Sequence, residues 1–292
     1  MSEAHGSYYV PERSYWPIIG AIGLLTFAWG SLHLLHSRMD TGPILFGTGI
    51  AIIIFMIFGW FATVIKENCN GLYDAQVDRS FRWGMAWFIF SEIMFFSVFF
   101  GALFYVREFS VPWLAGEGSF YLTGLLVWPD FQATWPLMIN PDNATYVGPK
   151  SLVHAWGIPA INTAILLSSA LTLTWAHWAL KNNQRGRLIW GLLITIILGL
   201  IFEGLQAYEY YLTHAHYGLT LSSGIYGSTF FLITGFHAVH VIVGLLMLIV
   251  MLFRCIRGHF TPDNHFGFEA AAWYWHFVDV VWILLFVFVY WL

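Results

Sequence analysis

Six residues with polar side chains lie in segments that are otherwise apolar, and they are the first candidates for chemistry in this chain. The segment FIFSEIMFF, residues 88–96, places Ser91 and Glu92 among seven apolar residues. Two later apolar segments carry the other four, which are His237, His240, His276 and Asp279. Ionisable groups without water are costly, so they normally face the protein interior and pair with one another.

Three interpretations of these residues are open. The first is a structural network of hydrogen bonds between helices, each contributing about 1 kcal/mol. The second is a proton-handling site, in which Glu92 exchanges protons with a neighbouring protein or with water. The third is a metal or haem site, because His237 and His240 share one helical face and His276 would supply a third nitrogen to copper. Asp279, three residues after His276, would more simply orient that imidazole.

The composition requires a membrane around these residues. The chain has 292 residues, of which 59% are hydrophobic and only 10% are charged. A soluble domain usually carries about 25% charged residues. Seven apolar segments are long enough to span a bilayer, at 16–36, 43–65, 82–106, 153–180, 187–209, 228–254 and 267–291. Because these segments are continuous rather than alternating, they predict helices and not a β-barrel.

The spans place the polar residues at a common depth. Glu92 is ten residues beyond Arg82, which is roughly 15 Å along a helix and near the midplane of a bilayer. The same reckoning puts His237, His240, His276 and Asp279 at roughly 14–18 Å from their nearer surfaces. We therefore expect spans three, six and seven to touch in this layer, with Glu92 neutral or hydrogen-bonded.

The basic residues set the orientation of the spans. Nine of the 12 Lys and Arg residues lie on the side of the N-terminus, and only Arg38, Arg107 and Lys150 lie on the other. Basic loops face the cytoplasm, which predicts a cytoplasmic N-terminus and a C-terminus on the opposite side. The single membrane domain, 1–292, is divided into a hairpin at 16–65, an inner loop and third span at 66–106, an outer loop at 107–152 and four spans at 153–292. The outer loop is rich in Pro, Gly and Trp, so we expect an ordered cap.

Other polar residues have weaker claims to function. Lys66, Glu67 and Arg82 lie at the predicted cytoplasmic surface, where they either anchor the spans or bind a phospholipid headgroup. Glu203, Gln206 and Glu209 are spaced like a polar stripe at a helix contact. Asn143, in the triplet NAT, is a chance match to a glycosylation acceptor. No basic patch suggests nucleic acid, and Cys69 and Cys255 are too isolated for a metal site.

Several long segments resemble subunit III of the haem–copper cytochrome c oxidases. RWGMAWFIFSEIMFFSVFFGALFY (82–105) resembles the third helix of that family, with Glu92 at the position of its buried glutamate. YGSTFFLITGFHAVHVIVG (226–244) and HFGFEAAAWYWHFVDVVWILLFV (265–287) resemble two later helices and are very specific to the family. WPIIG (16–20), VIKEN (64–68), TWAHWAL (174–180) and LQAYEYY (205–211) extend the likeness over nearly the whole chain.

The resemblance implies an all-α polytopic membrane protein. Its seven transmembrane helices would form a two-helix and a five-helix bundle around a V-shaped cleft filled with phospholipid.

The resemblance implies no redox cofactor in this chain, which argues strongly against the metal interpretation. Haem a and copper would belong to partner subunits: subunit I, on which this chain would pack, and subunit II, which receives electrons from cytochrome c. The family is held to sustain proton uptake and to protect the oxidase during turnover. By position, Trp60, Lys66, Glu67 and Arg82 resemble its lipid contacts.

Two departures and two alternatives accompany this resemblance. Glu203 stands at a position that is uncharged in the mitochondrial relatives, and the loop 107–152 is longer than theirs. That length favours a bacterial plasma membrane over a mitochondrial inner membrane. The alternatives are subunit III of a quinol-oxidising haem–copper oxidase and an independent channel or transporter.

Overall fold

The regular structure is all helical in the part of the chain that the structure, a computed structural model, describes, namely Tyr9 and residues 13–292. Contacts divide it into two compact units, Met1–Trp83 and Gly84–Leu292. Seven helices within the described residues are long and apolar enough to cross a membrane, which confirms the predicted seven-helix class. The long helices are α1 (Trp16–Leu35), α2 (Gly42–Cys69), α3 (Ala75–Tyr105), α5 (Ile158–Lys181), α6 (Arg185–Ala215), α7 (Ile225–Arg257) and α8 (Phe266–Leu285), and α4 (Val111–Leu114) is a single turn.

The first unit is built on a close hairpin of α1 and α2. A Cβ atom at Gly30 would overlap the backbone of Phe46, and one at Gly49 would overlap the backbone of Phe27. Small residues allow two membrane helices to approach in this way without a hydrophobic driving force. The Trp16 indole N–H also donates to Thr63 Oγ1 at 3.2 Å. The short loop thus joins two tightly packed helices, as its length predicts.

Helix α3 differs from the predicted span at both ends. It begins at Ala75 rather than at 82, because the Asp74 carboxylate accepts the backbone N–H of Val77 at 2.8 Å and caps the helix. Beyond Tyr105 the chain continues through a π-helical turn, Val106–Ser110, into α4. A further turn, Thr123–Val127, is also helical. The loop expected at 107–152 is therefore irregular mainly after residue 127.

In the second unit, α8 is the most buried helix and carries two fully buried tryptophans. The Trp275 indole N–H donates to Ser169 Oγ and that of Trp282 to Thr163 Oγ1, both at 2.9 Å. Gly199 and Gly244 leave room for the Trp275 ring. These contacts hold α8 against α5, α6 and α7, and so fix the depth of the histidine and aspartate that α8 carries.

The segment between α4 and α5 is an ordered cap, as its composition predicts. Asn140 donates its amide N–H groups to the carbonyls of Tyr146 at 2.7 Å and Ser223 at 3.2 Å. Asn143 Oδ1 accepts the backbone N–H groups of Asn140 and Gly148 at 3.4 and 3.2 Å. The Asn143 side chain therefore shapes the loop, which fits the interpretation of the NAT triplet as a chance match.

Candidate functional site

Glu92 on α3 meets His240 on α7 inside the second unit. Glu92 Oε2 lies 2.9 Å from His240 Nε2, and 22% and 14% of the two side chains are exposed. The other ring nitrogen, His240 Nδ1, lies 2.6 Å from the carbonyl oxygen of Phe236, one helical turn earlier. The carboxylate in the apolar segment of α3 is thus paired with an imidazole from another helix, as the common depth of the two residues predicts.

The geometry of this pair shows where its hydrogen bonds need a hydrogen. A carbonyl oxygen only accepts hydrogen bonds, so His240 Nδ1 carries a hydrogen and donates it to Phe236. The contact between Nε2 and Glu92 needs one further hydrogen, because two lone pairs at 2.9 Å would repel each other. That hydrogen lies either on Glu92, facing a neutral imidazole, or on Nε2, facing a carboxylate. One hydrogen therefore lies between Glu92 Oε2 and His240 Nε2.

Aromatic rings surround the pair. The His240 ring centroid lies 4.9 Å from that of Phe96, 5.7 Å from that of Phe95 and 6.5 Å from that of Tyr274. Tyr274 also stacks on Phe88 of α3 at 6.1 Å, so α3, α7 and α8 meet here and the expected contact of these spans is confirmed. A hydrogen bond in such an apolar environment is stronger than in water, and an unpaired group is more costly.

His237 performs a different task from His240, although one turn of α7 carries both. Its Nε2–H donates to the carbonyl oxygen of Val278 on α8 at 3.0 Å, and its Nδ1 is buried without a partner among the described residues. The two histidines thus bind different helices and do not converge on a common point. Within the described part of the chain, no group of three His, Cys, Asp or Glu side chains is placed to hold a metal ion.

The remaining residues of the predicted layer stay on their own helices. His276 Nδ1 lies 3.3 Å from Asp279 Oδ2, one turn along α8. Asp279 Oδ1 is buried and has no hydrogen-bond partner in the described part of the chain. Ser91 donates its hydroxyl to the carbonyl oxygen of Phe88 at 2.6 Å, within α3. The layer therefore contains two contacts between helices, Glu92–His240 and His237–Val278, and its other hydrogen bonds stay within single helices.

The predicted lipid-contact residues all lie in the first unit. Trp60 and Lys66 are exposed on α2. Glu67 Oε2 accepts the hydroxyl of Tyr73 at 2.6 Å, and Arg82 Nε donates to Asp78 Oδ2 at 2.9 Å. Burial and the bond to Glu67 raise the pKa of Tyr73 well above its ordinary value. Glu67 and Arg82 thus each have a protein partner.

Tyr73 was not among the residues singled out from the sequence. Its ring packs on Phe81 at 5.1 Å while its hydroxyl binds Glu67. It therefore links the end of α2 to the beginning of α3. A tyrosine beside a glycine turn at a membrane surface is common, so no signal in the sequence marked this role.

The polar stripe on α6 joins a second buried network. Gln206 and Glu209 are buried, and both lie within hydrogen-bond reach of Tyr290, in the last helical turn of the chain. Asn162 of α5 reaches Gln206 from the other side. The stripe was expected at a helix contact, whereas the participation of Asn162 and Tyr290 was not foreseen.

Comparisons with known proteins assign the chain to a family. The sequence profile for cytochrome c oxidase subunit III matches residues 6–114 and 120–292. Cytochrome c oxidase subunit 3 of Marchantia polymorpha is 40% identical over 294 residues, covering 100% of this chain and 98% of the relative. The subunit 3 proteins of Formosania lacustris and Gazella subgutturosa are 40% and 39% identical, with at least 98% of each chain covered. This chain therefore belongs to the cytochrome c oxidase subunit III family.

Proposed function

We propose that this chain is the non-redox subunit III of an aa3-type cytochrome c oxidase, the proton-pumping terminal oxidase of aerobic respiration. The complex would transfer electrons from ferrocytochrome c to O2. The observation that carries the proposal is the family match, which covers nearly all of this chain and of its relatives. The chain would act as one subunit of an oxidoreductase complex, in an electron transport chain.

In this proposal the redox chemistry belongs to the partner subunits. Subunit I would be the main contact of this chain, and haem a and copper would lie in subunits I and II. The histidines within the spans support this division, because His237 and His240 use ring nitrogens to bind α8 and α3. Their role in this chain is to position helices.

The Glu92–His240 pair would stabilise the bundle where it influences proton uptake by subunit I. The hydrogen bond between Glu92 and His240 joins α3 to α7. In an apolar environment, water does not take the place of either partner. Structural support is the role that the geometry favours, because the pair joins two helices and aromatic rings pack against His240. The complex would depend on this subunit for sustained turnover.

Trp60, Lys66, Glu67 and Arg82 would bind structural phospholipid in the first unit. Lys66 is exposed at the end of α2, where a cation can meet a phosphate, and the exposed Trp60 ring lies two turns earlier in the same helix. The hydrogen bonds of Glu67 to Tyr73 and of Arg82 to Asp78 would keep the Glu67 and Arg82 side chains in position at this site.

The chain is a multi-pass membrane protein, and we place it in a bacterial plasma membrane with the N-terminus in the cytoplasm and the C-terminus in the periplasm. A mitochondrial inner membrane is the alternative location. The excess of basic residues on the N-terminal side supports the orientation.

The test is purification of the tagged chain with its partners in a mild detergent. A reduced-minus-oxidised visible spectrum and a cytochrome c oxidation assay are then recorded on the product. We expect a haem a band and oxidation of ferrocytochrome c. Haem b or o with quinol oxidation would instead identify the quinol-oxidising relative. A stable chain that purifies without haem would contradict the subunit assignment and favour a transporter.

A further inference from the structure

The second buried network contains a carboxyl group that the oxidase assignment does not use. We propose that Glu209 and Tyr290 form a proton-binding site, separate from Glu92 and His240, in which Glu209 is held as a neutral carboxylic acid. The ligand is a single proton. The proposal concerns the chain itself and does not depend on the function proposed above.

The site lies wholly inside the second unit. Glu209, on α6, is 2% exposed, and Tyr290, in the final turn Phe286–Trp291, is 8% exposed. The Tyr290 hydroxyl donates to Glu209 Oε1 at 2.7 Å. Phe230 and Trp282 pack on the Tyr290 ring, with centroids 5.5 and 5.9 Å from it. Water therefore does not solvate the carboxyl group.

One series of neighbouring hydrogen bonds donates towards Glu209. The Asn162 amide N–H donates to Gln206 Oε1 at 3.5 Å, and the Gln206 amide N–H donates to the Tyr290 hydroxyl oxygen at 3.5 Å. Tyr290 then passes its only hydrogen to Glu209 Oε1. The series ends at the carboxyl group, which receives one hydrogen bond from a neutral phenol.

One such bond is too little for a buried carboxylate. The second oxygen, Glu209 Oε2, is buried without a hydrogen-bond partner, and no lysine, arginine or histidine in the described residues forms an ion pair with Glu209. A buried charge is tolerated when a cation or several donors compensate it. A neutral acid removes the uncompensated charge: Oε1 then accepts as a carbonyl oxygen, and Oε2 carries the proton.

The other titratable groups near the site do not supply a positive charge. Tyr210, the next residue on α6, directs its hydroxyl to Thr234 of α7 at 2.7 Å. Glu203, earlier on α6, is an acid and carries no positive charge in either form. Tyr290 comes from the final turn, and α5 contributes the uncharged Asn162. These groups are therefore neutral or acidic, and none of them supplies the positive charge that would compensate a buried carboxylate.

Infrared spectroscopy of the purified, assembled complex near neutral pH tests the proposal. The wild-type spectrum should contain a carbonyl-stretch band of a protonated carboxylic acid that Glu209→Gln removes, with the carboxylate bands unchanged. If Glu209→Gln removes carboxylate intensity, or if no acid band changes, the proposal is wrong.

Two further variants provide the controls. Glu117→Gln alters an exposed glutamate and should reduce only the carboxylate intensity. Tyr290→Phe retains the acid but removes the hydroxyl that donates to Oε1, so the same acid band should persist at a higher frequency. If Glu209→Gln does not assemble, Tyr290→Phe decides: a shifted acid band supports the site, and unchanged acid bands overturn it.

Discussion

The hydrogen bond between Glu92 and His240 governs how α3 and α7 respond to substitution at these residues. His240 Nδ1 already donates to the carbonyl oxygen of Phe236. The other ring nitrogen, Nε2, therefore needs either a hydrogen-bond donor or a carboxylate opposite it. The chemistry of the side chain at position 92 therefore decides whether the contact survives.

We expect Glu92→Gln to preserve the contact, because the glutamine amide N–H donates to a neutral His240 Nε2. Assembly of the complex and its O2 consumption should stay within about twofold of wild type, a change in barrier below 1 kcal/mol. Glu92→Leu leaves the ring nitrogen unpaired and should destabilise the unit by about 1–3 kcal/mol. Subunit content after purification, O2 consumption and proton uptake are the measurements.

The same variants separate structural support from proton transfer. An assembled Glu92→Gln complex with a large loss of proton uptake would show that the carboxyl group itself exchanges protons. Equal losses in Glu92→Gln and Glu92→Leu would show that the hydrogen bond is not what matters. Ser91→Ala is the matched control, because Ser91 donates only within its own helix.

Trp282 gives a second prediction at the residue scale. Thr163→Val keeps the volume of the side chain but removes the oxygen that accepts the indole N–H at 2.9 Å. The buried donor is then unsatisfied, which should cost about 1–3 kcal/mol and lower the temperature at which the purified complex loses this subunit. Thr163→Ser retains the acceptor, so its temperature should stay near that of wild type. A similar decrease of this temperature in both variants would show that packing, and not the hydrogen bond, is the cause.

The sequence predicted the depth of Glu92 and His240 better than their pairing. Counting residues along each span placed Glu92 and His240 at one depth, because the rise of a helix is regular. The count gives no rotation about the helix axis, so it did not separate His276, which stays on its own helix, from His240. Ser91 was included only because it neighbours Glu92, and a helical serine readily bonds to a carbonyl of the preceding turn.

At the scale of elements, the ends of the helices were harder to predict than their existence. Asp74 caps α3 at 2.8 Å, but residues 74–81 were assigned to a loop because most of them are polar. Likewise, Pro112 was expected in a loop, although proline is well tolerated in the first turn of a helix, where it stands in α4. Hydropathy predicts which residues lie in lipid. A helix, however, continues beyond the lipid wherever its backbone N–H and C=O groups find hydrogen-bond partners.

The α1–α2 hairpin yields a prediction about a pair of helices. Gly49→Val would push a side chain into the backbone of Phe27, which should separate the helices and destabilise the hairpin by about 1–3 kcal/mol or more. Gly47→Val is the control two residues away, since a Cβ there meets no atom within 4 Å. Of the two variants, only Gly49→Val should unfold in detergent at a lower temperature than wild type. Equal effects of the two substitutions would mean that close packing is not the cause.

At the scale of the whole molecule, the basic residues predict the orientation in the membrane, and the two cysteines allow it to be measured. Cys69, at the end of α2, is exposed, whereas Cys255, near the end of α7, is 2% exposed. We expect a membrane-impermeant maleimide to label Cys69 only from the N-terminal, cytoplasmic side, because the positively charged loops stay there. Cys255 should react only after unfolding in detergent, and Cys69→Ser should abolish labelling of the folded chain. Labelling of Cys69 from the opposite side would reverse the orientation of all seven spans, since the direction of one helix fixes the direction of the rest.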